Sequence, residues 1–278
     1  PVQILLGKSD RDTSLSTPQG KAPLAGAEFT VRYYDGTYDS DPAATGKKPL
    51  RTWVLKTGSD GTARLNPASK VSGDAFYHAD GKAVLPLGTV TIQETKAPAG
   101  YLPNSEIFIR QVTAEGSSVS TWDTPEIPEE VIRGGVRVEK WDHELAKNTA
   151  QGGATLEGAQ FNIISLNPAP VTVGGKTFQN GEVVRTLKTD SKGTAATPSD
   201  LLPYGDYRIT ETSPPKGYTT SGITRQDFSI TEDGVLVSLG TSQTAVRNTV
   251  IRGGIRVEKW DSELDQNKAQ GSATLEGA

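Results

Sequence analysis

The stretch Tyr207-Arg-Ile-Thr-Glu-Thr-Ser-Pro-Pro-Lys-Gly-Tyr218 decides the fold. Its alternation puts Tyr207, Ile209 and Glu211 on one side of a β-strand and Arg208 and Thr210 on the other. Pro214, Pro215 and Gly217 then end the strand in a rigid turn. Glu211 is the unusual member, a carboxyl group in line with two core-facing apolar side chains. The same arrangement occurs earlier, where Val90, Ile92 and Glu94 share a face and Lys96-Ala-Pro-Ala-Gly-Tyr101 follows. A buried carboxylate without a partner is costly, so each Glu is expected to be neutral or to have a partner nearby.

Working outward, the chain repeats itself. Residues 131–159 recur as 250–278, with 23 of 29 positions identical at an offset of 119 residues. That offset is the size of a domain, so a tandem array is expected. A weaker copy lies in the first half: Leu55-Lys-Thr-Gly-Ser-Asp-Gly-Thr-Ala63 matches Leu187-Lys-Thr-Asp-Ser-Lys-Gly-Thr-Ala195, and Leu24-Ala-Gly-Ala-Glu-Phe29 matches Leu156-Glu-Gly-Ala-Gln-Phe161. The expected division is 1–130, 131–249 and a fragment 250–278 that begins the next repeat. Thr124-Pro-Glu-Ile-Pro-Glu-Glu130 reads as a stiff, extended linker.

Nearly every periodic segment has period two. Asp35-Gly36, Asp60-Gly61, Asp80-Gly81, Asn180-Gly181 and Asp233-Gly234 supply turn signals between short strands. Seven or so strands per unit imply a β-sandwich or a partly open barrel. The acids and bases are interspersed and the net charge is −4, so no basic face points to nucleic acid or an anionic membrane. No apolar run approaches the roughly 20 residues that span a bilayer. There is no Cys, which removes disulfides and thiolate chemistry. The chain opens at Pro1 without a leader pattern, so a signal and an anchor are expected outside this segment.

The candidate partners of the two Glu residues come from the terminal strands. Val136, Val138 and Lys140 share an apolar face, as do Val246, Asn248 and Val250. The second unit therefore aims Lys140, Glu211 and Asn248 at its core. In the first unit the corresponding set is Lys8, after Ile4 and Leu6, with Glu94, and with Asp123, after Val119 and Thr121. Burial lowers a Lys pKa and raises a Glu pKa. A neutral amine is a nucleophile, and a protonated carboxyl can polarise an amide carbonyl. Attack by Lys140 on Asn248 would expel ammonia and leave an amide between side chains; with Asp123 as acceptor the leaving group is water. This is a single self-modification, not turnover.

Ile209-Thr-Glu-Thr-Ser-Pro-Pro-Lys-Gly-Tyr218 and Ile92-Gln-Glu-Thr-Lys-Ala-Pro-Ala-Gly-Tyr101 resemble the E-box of Cna-B-type domains, also called SpaA-like or prealbumin-like. Such domains build stalks of Gram-positive pilins and surface adhesins. The resemblance covers both units and implies an all-β chain of tandem transthyretin-like (Ig-like) sandwiches with intramolecular isopeptide bonds. It assigns the bonds to Lys140–Asn248 and Lys8–Asp123, assisted by Glu211 and Glu94. Lys259 matches Lys140 but is expected to be unpaired in residues 250–278. No sorting signal or pilin-type lysine motif is recognised, so the resemblance implies a cell-wall-attached, extracellular stalk of a repetitive adhesin more than a pilin subunit. It also implies a monomer whose partners are adjacent repeats.

Two other functions compete. His78 and His143 are the only histidines and lie in non-equivalent segments, which leaves enzymatic turnover without a constellation. A ligand-binding module for a host surface would use the longer loops of the first unit, Asp35–Lys48 and Asn66–Leu87, with Tyr33, Tyr34, Tyr38, Phe76 and Tyr77 as contacts. Asp35, Asp39 and Asp41 lack the spacing of a calcium loop, so neither metal nor cofactor is expected.

Overall fold

The computed structural model describes residues 2–113 and 120–278, with side chains described from Leu6 to Thr113 and from Ile127 onward. The first half runs β1 (Val2–Asp10), β2 (Glu28–Tyr34), β3 (Arg51–Lys56), β4 (Thr62–Arg64), β5 (Lys70–Gly73), β6 (Tyr77–Ala79), β7 (Lys82–Val84), β8 (Gly88–Lys96), β9 (Ile107–Val112) and β10 (Ser120–Glu129). A five-stranded sheet, β5-β3-β2-β8-β9, faces the sheet β10-β1-β4. Between them lie Phe29, Val31, Trp53, Leu55, Val90 and Ile92 from one side and Leu6, Ala63 and Ile127 from the other.

The second half continues as β11 (Arg133–Asp142), β12 (Gln160–Ser165), β13 (Val171–Val173), β14 (Lys176–Phe178), β15 (Val183–Lys188), β16 (Thr194–Ala196) and β17 (Leu202–Pro203). It ends with β18 (Gly205–Ser213), β19 (Tyr218–Ile223), β20 (Arg225–Ile230), β21 (Leu236–Leu239) and β22 (Val246–Val250). The sheet β15-β12-β18-β20 opposes β16-β11-β22-β19, and β11 also pairs β17 and β21. The chain is thus two tandem all-β sandwiches. In each, the first strand lies parallel to the last: β1 beside β10, and β11 beside β21 and then β22. The alternating burial of β11 turns Val136, Val138, Lys140 and Asp142 inward, as period two requires.

One expectation fails at the end of the first sandwich. Residues 124–129 are not a linker: they are the second half of β10, paired with β1 as far as Asp10↔Glu129. Pro125 and Pro128 are tolerated because β10 is the edge of its sheet, where a missing N–H breaks no ladder. Residues 251–278 carry no strand, and Ile255, Val257 and Trp260 are 92%, 84% and 51% exposed.

The sandwiches meet in a specific joint. Ala22, Leu24, Tyr101 and Val131 form a small buried cluster against Tyr204. Gly20 N donates to Pro170 O (2.9 Å) and Ala169 N to Gly20 O (3.1 Å). Thr172 N donates to Gln19 Oε1 at 2.8 Å, and Arg133 Nη2 to Asp12 Oδ2 at 2.6 Å.

Candidate functional site

Each sandwich buries a lysine beside a glutamate that reaches it from the opposite sheet. In the second, Lys140 on β11 is fully buried, and its Nζ is 3.1 Å from Glu211 Oε1 on β18. The Glu211 Oε2 accepts a 2.7 Å hydrogen bond from Asn248 Nδ2 on β22. Register explains the convergence. Lys140 pairs with Val246 and Asp142 with Asn248, so Asn248 is the next inward residue along the neighbouring strand. Glu211 arrives opposite Phe161, within the sheet that covers them.

Beyond the 3.1 Å contact between Lys140 Nζ and Glu211 Oε1, these two atoms and Asn248 Oδ1 have no hydrogen-bond partner among the described residues. Buried polar atoms are ordinarily satisfied, so such a cluster is uncommon. Burial drives the Lys140 amine down to about 8, against the opposing pull of Glu211. About a tenth of the amine is therefore neutral at pH 7, the form that can act as a nucleophile. The sequence reading aims the carboxyl at the amide oxygen; the structure places it on the amide nitrogen, between the amine and the group that would leave.

The first sandwich repeats the plan with one change. Lys8 on β1 is 1% exposed, and its Nζ donates to Glu94 Oε1 at 2.6 Å. Glu94 Oε2 is fixed by the Asn104 backbone N–H at 2.7 Å. Burial lowers the Lys8 amine to about 8, with the hydrogen bond and charge of Glu94 opposing. The third member expected from sequence is Asp123, whose side chain lies outside the described residues. By backbone register, Asp123 pairs with Leu5, three residues before Lys8. The position equivalent to Asn248 is Glu129, which pairs with Asp10 as Asn248 pairs with Asp142. Glu129 is fully buried, and its Oε1 is in direct contact with Lys8 Nζ.

A second constellation was missed by sequence reasoning. Asp142, fully buried, accepts from Glu144 N (2.9 Å), Leu145 N (2.8 Å), Gln151 Nε2 (3.0 Å) and Tyr218 OH (2.8 Å). Burial alone would raise its pKa, but these donors outweigh it and hold the carboxyl below its usual range. The Tyr218 hydroxyl is pushed up to about 12, by burial first and then by the carboxylate. Asp10 has the same partners: Asp12 N, Thr13 N, Gln19 Nε2 and, at 3.0 Å, Tyr101 OH. The Lys-x-Asp spacing, present at Lys8, Lys140 and Lys259, was the available signal. These bonds tie the end of the lysine strand to the turn that follows the Glu strand. Gly217 has φ +87° there, and a Cβ would stand 2.6 Å from Ala154 Cβ, so the turn requires glycine.

The other expected residues lie elsewhere. Lys259 is exposed. Tyr33, Tyr34 and Phe76 are buried; Tyr33 donates to Leu87 O at 2.6 Å, and Tyr77 stacks edge-on against it. These aromatics pin the long loops down instead of presenting them. Asp35, Asp39 and Asp41 are engaged separately, by Lys47, Gln111 and Ala43 N.

Tandem sandwiches with first and last strands parallel, and a glutamate bridging the buried lysine across the core, define a prealbumin-like class of domain. A profile of the SpaA prealbumin-like fold domain matches residues 16–125 and again 142–244, and the chain belongs to that family. Among solved structures, the Bacillus anthracis TIE protein aligns with 90% of this chain at 22% identity and a TM-score of 0.52. This chain covers 34% of that protein's length. GBS52, the minor pilin of Streptococcus agalactiae, aligns with 93% of this chain and 100% of its own, at 18% identity and a TM-score of 0.33. The shaft pilin spaA from Lactobacillus rhamnosus GG aligns with 92% of this chain and 99% of its own, at 17% identity and a TM-score of 0.31. No curated protein matches the chain in sequence.

Proposed function

We propose that this chain is a force-bearing stalk segment of an extracellular, wall-attached adhesin, rigidified by a covalent Lys140–Asn248 bond. The observation that carries the reading is the buried trio itself, with the Glu211 carboxyl lying between the Lys140 amine and the Asn248 amide. The amine attacks the Asn248 Cγ, the Nζ–Cγ bond forms and the Cγ–Nδ2 bond breaks. Glu211 takes a proton from the amine through Oε1 and delivers one through Oε2 to the departing nitrogen, which leaves as ammonia. Positioning within the core supplies most of the acceleration. The reaction consumes its own two side chains, so in this reading it is one event per molecule and not turnover.

The division into 1–130, 131–249 and 250–278 belongs to this reading, with adjacent repeats of a monomeric chain as partners. Lys140 stands near the entry to its sandwich and Asn248 near the exit, on adjacent parallel strands. Tension entering at β11 would leave at β22 through the bond, bypassing the residues between. Of the contacts that the ligand-binding alternative would use, Tyr33, Tyr34 and Phe76 pack inward, while Tyr38 and Tyr77 are half-buried. The deciding measurement is the intact mass of the denatured chain. A deficit of one ammonia, abolished by Lys140→Ala or Glu211→Ala, is expected; its absence in the folded chain defeats the reading.

A further inference from the structure

We propose that Glu129 is a self-condensation site: its carboxyl joins the Lys8 amine as an amide, with loss of water. The proposal rests on the cross-linking reading above and extends it to an acceptor of a different chemical type, a glutamate.

Three observations carry it. Register comes first: Lys8 pairs with Ile127 and Asp10 with Glu129, matching the pairing of Lys140 with Val246 and Asp142 with Asn248. Glu129 therefore occupies the acceptor position of the second sandwich, one inward residue beyond the lysine on the neighbouring parallel strand. The second is contact. Lys8 Nζ touches Glu129 Oε1 on one side and Glu94 Oε1, at 2.6 Å, on the other. The third is the state of the carboxyl. Among the described residues neither Glu129 oxygen has a hydrogen-bond donor beyond the Lys8 contact, and the side chain has no solvent exposure. A carboxylate kept as a permanent ion in a core needs several donors, as Asp10 has two residues along β1. Among the described residues, Glu129 has only the lysine.

Charge gives the reaction its direction. Two carboxyls and one ammonium in a dry core cannot all be ionised without a net buried charge, so one carboxyl holds a proton. With Glu129 protonated, the Lys8 ammonium gives a proton to Glu94 and becomes a neutral amine. The Nζ–Cδ bond forms and one Cδ–O bond of Glu129 breaks. The departing hydroxyl leaves as water with one of the two remaining amine protons, relayed by Glu94. The products are a neutral amide, a protonated Glu94 and one water, and no outside reactant is required. Asn104 N–H holds Glu94 Oε2, so Oε1 is the oxygen that faces the amine.

The experiment is high-resolution mass spectrometry of the full chain and its tryptic peptides. Wild type should lack one water in addition to the ammonia of the second sandwich, and residues 1–11 should appear joined to residues 111–133. That second peptide contains both Asp123 and Glu129, so substitution decides between them. Glu129→Gln should convert the water deficit into a second ammonia deficit, and Glu129→Ala should abolish it while the first ammonia deficit remains. A water deficit that survives Glu129→Ala assigns the bond elsewhere and overturns the proposal. So does an unlinked Lys8 peptide in wild type, a result independent of variant folding. An ammonia deficit without a water deficit refutes Glu129 and spares the Lys140–Asn248 reading; the reverse pattern does the opposite.

Discussion

The two buried sites are built on one plan and differ at one position. Lys8 and Lys140, Glu94 and Glu211, Asp10 and Asp142, Tyr101 and Tyr218 superpose by register and by partner. Where the second sandwich has Asn248, the first has Glu129. An amide beside a Lys–Glu ion pair leaves the site neutral, whereas a second carboxyl leaves it one proton short of neutrality. The comparison teaches that backbone register, not side-chain identity, sets the geometry, while the acceptor sets the proton inventory.

The severest way to break the comparison is mechanical. With its bond formed, a sandwich should show no unfolding step in single-molecule pulling, and Lys140→Ala should introduce a step releasing nearly all of β11–β22. In equilibrium unfolding the same substitution should cost roughly 4–5 kcal/mol from loss of a cross-link closing about 100 residues, on top of the cavity it leaves. Lys8→Ala should behave alike in the first sandwich; an unfolding step there in wild type would separate the two sites.

Removing the proton carrier is the next test. Glu211→Gln and Glu94→Gln should each slow bond formation in their own sandwich by about a hundredfold or more, the ordinary range for general acid–base assistance. Pulse-labelled chains followed by mass would give both rates in one sample.

Acidity sharpens the contrast. Burial brings both amines to about 8, so the neutral fraction grows with pH up to that value and then levels. Bond formation at Lys140–Asn248 should rise about tenfold per pH unit below 8 and then plateau. Chains made in cell-free reactions at several pH values and followed by mass would show whether the first site, with its carboxyl acceptor, follows the same rise.

The smallest expected effect should be the same in both sandwiches. Tyr218→Phe and Tyr101→Phe each remove a hydroxyl donor to a buried Asp, and each should cost about 1–2 kcal/mol in a chain lacking the cross-links. Denaturant unfolding of the lysine-to-alanine chains provides the background.

Much of this was legible in the sequence, for physical reasons. Period two with a Pro-Pro or Ala-Pro stop located Glu94 and Glu211, and the same alternation put Lys140 and Asn248 inward. Glu129 was hidden because Pro125, Pro128 and a run of acids look like solvated chain. Only the pairing with β1 reveals that Ile127 and Glu129 alternate inward. Asp10 and Asp142 were hidden because a carboxylate at a strand end usually faces water. Their burial depends on backbone N–H groups of the following turn, which no side-chain pattern displays.

The joint between the sandwiches has one further consequence. Gln19 donates to Asp10 Oδ2 and accepts from Thr172 N, so a single side-chain amide couples the end of β1 to the neighbouring domain. Gly20 is clasped by Pro170 and Ala169, and Arg133 reaches back to Asp12 from a third direction. Rotating one sandwich about the long axis must break all of these together. The joint thus opposes torsion, more like a keyed drive shaft than beads on a swivel, and the first sandwich fixes the azimuth at which the loops of the second face outward.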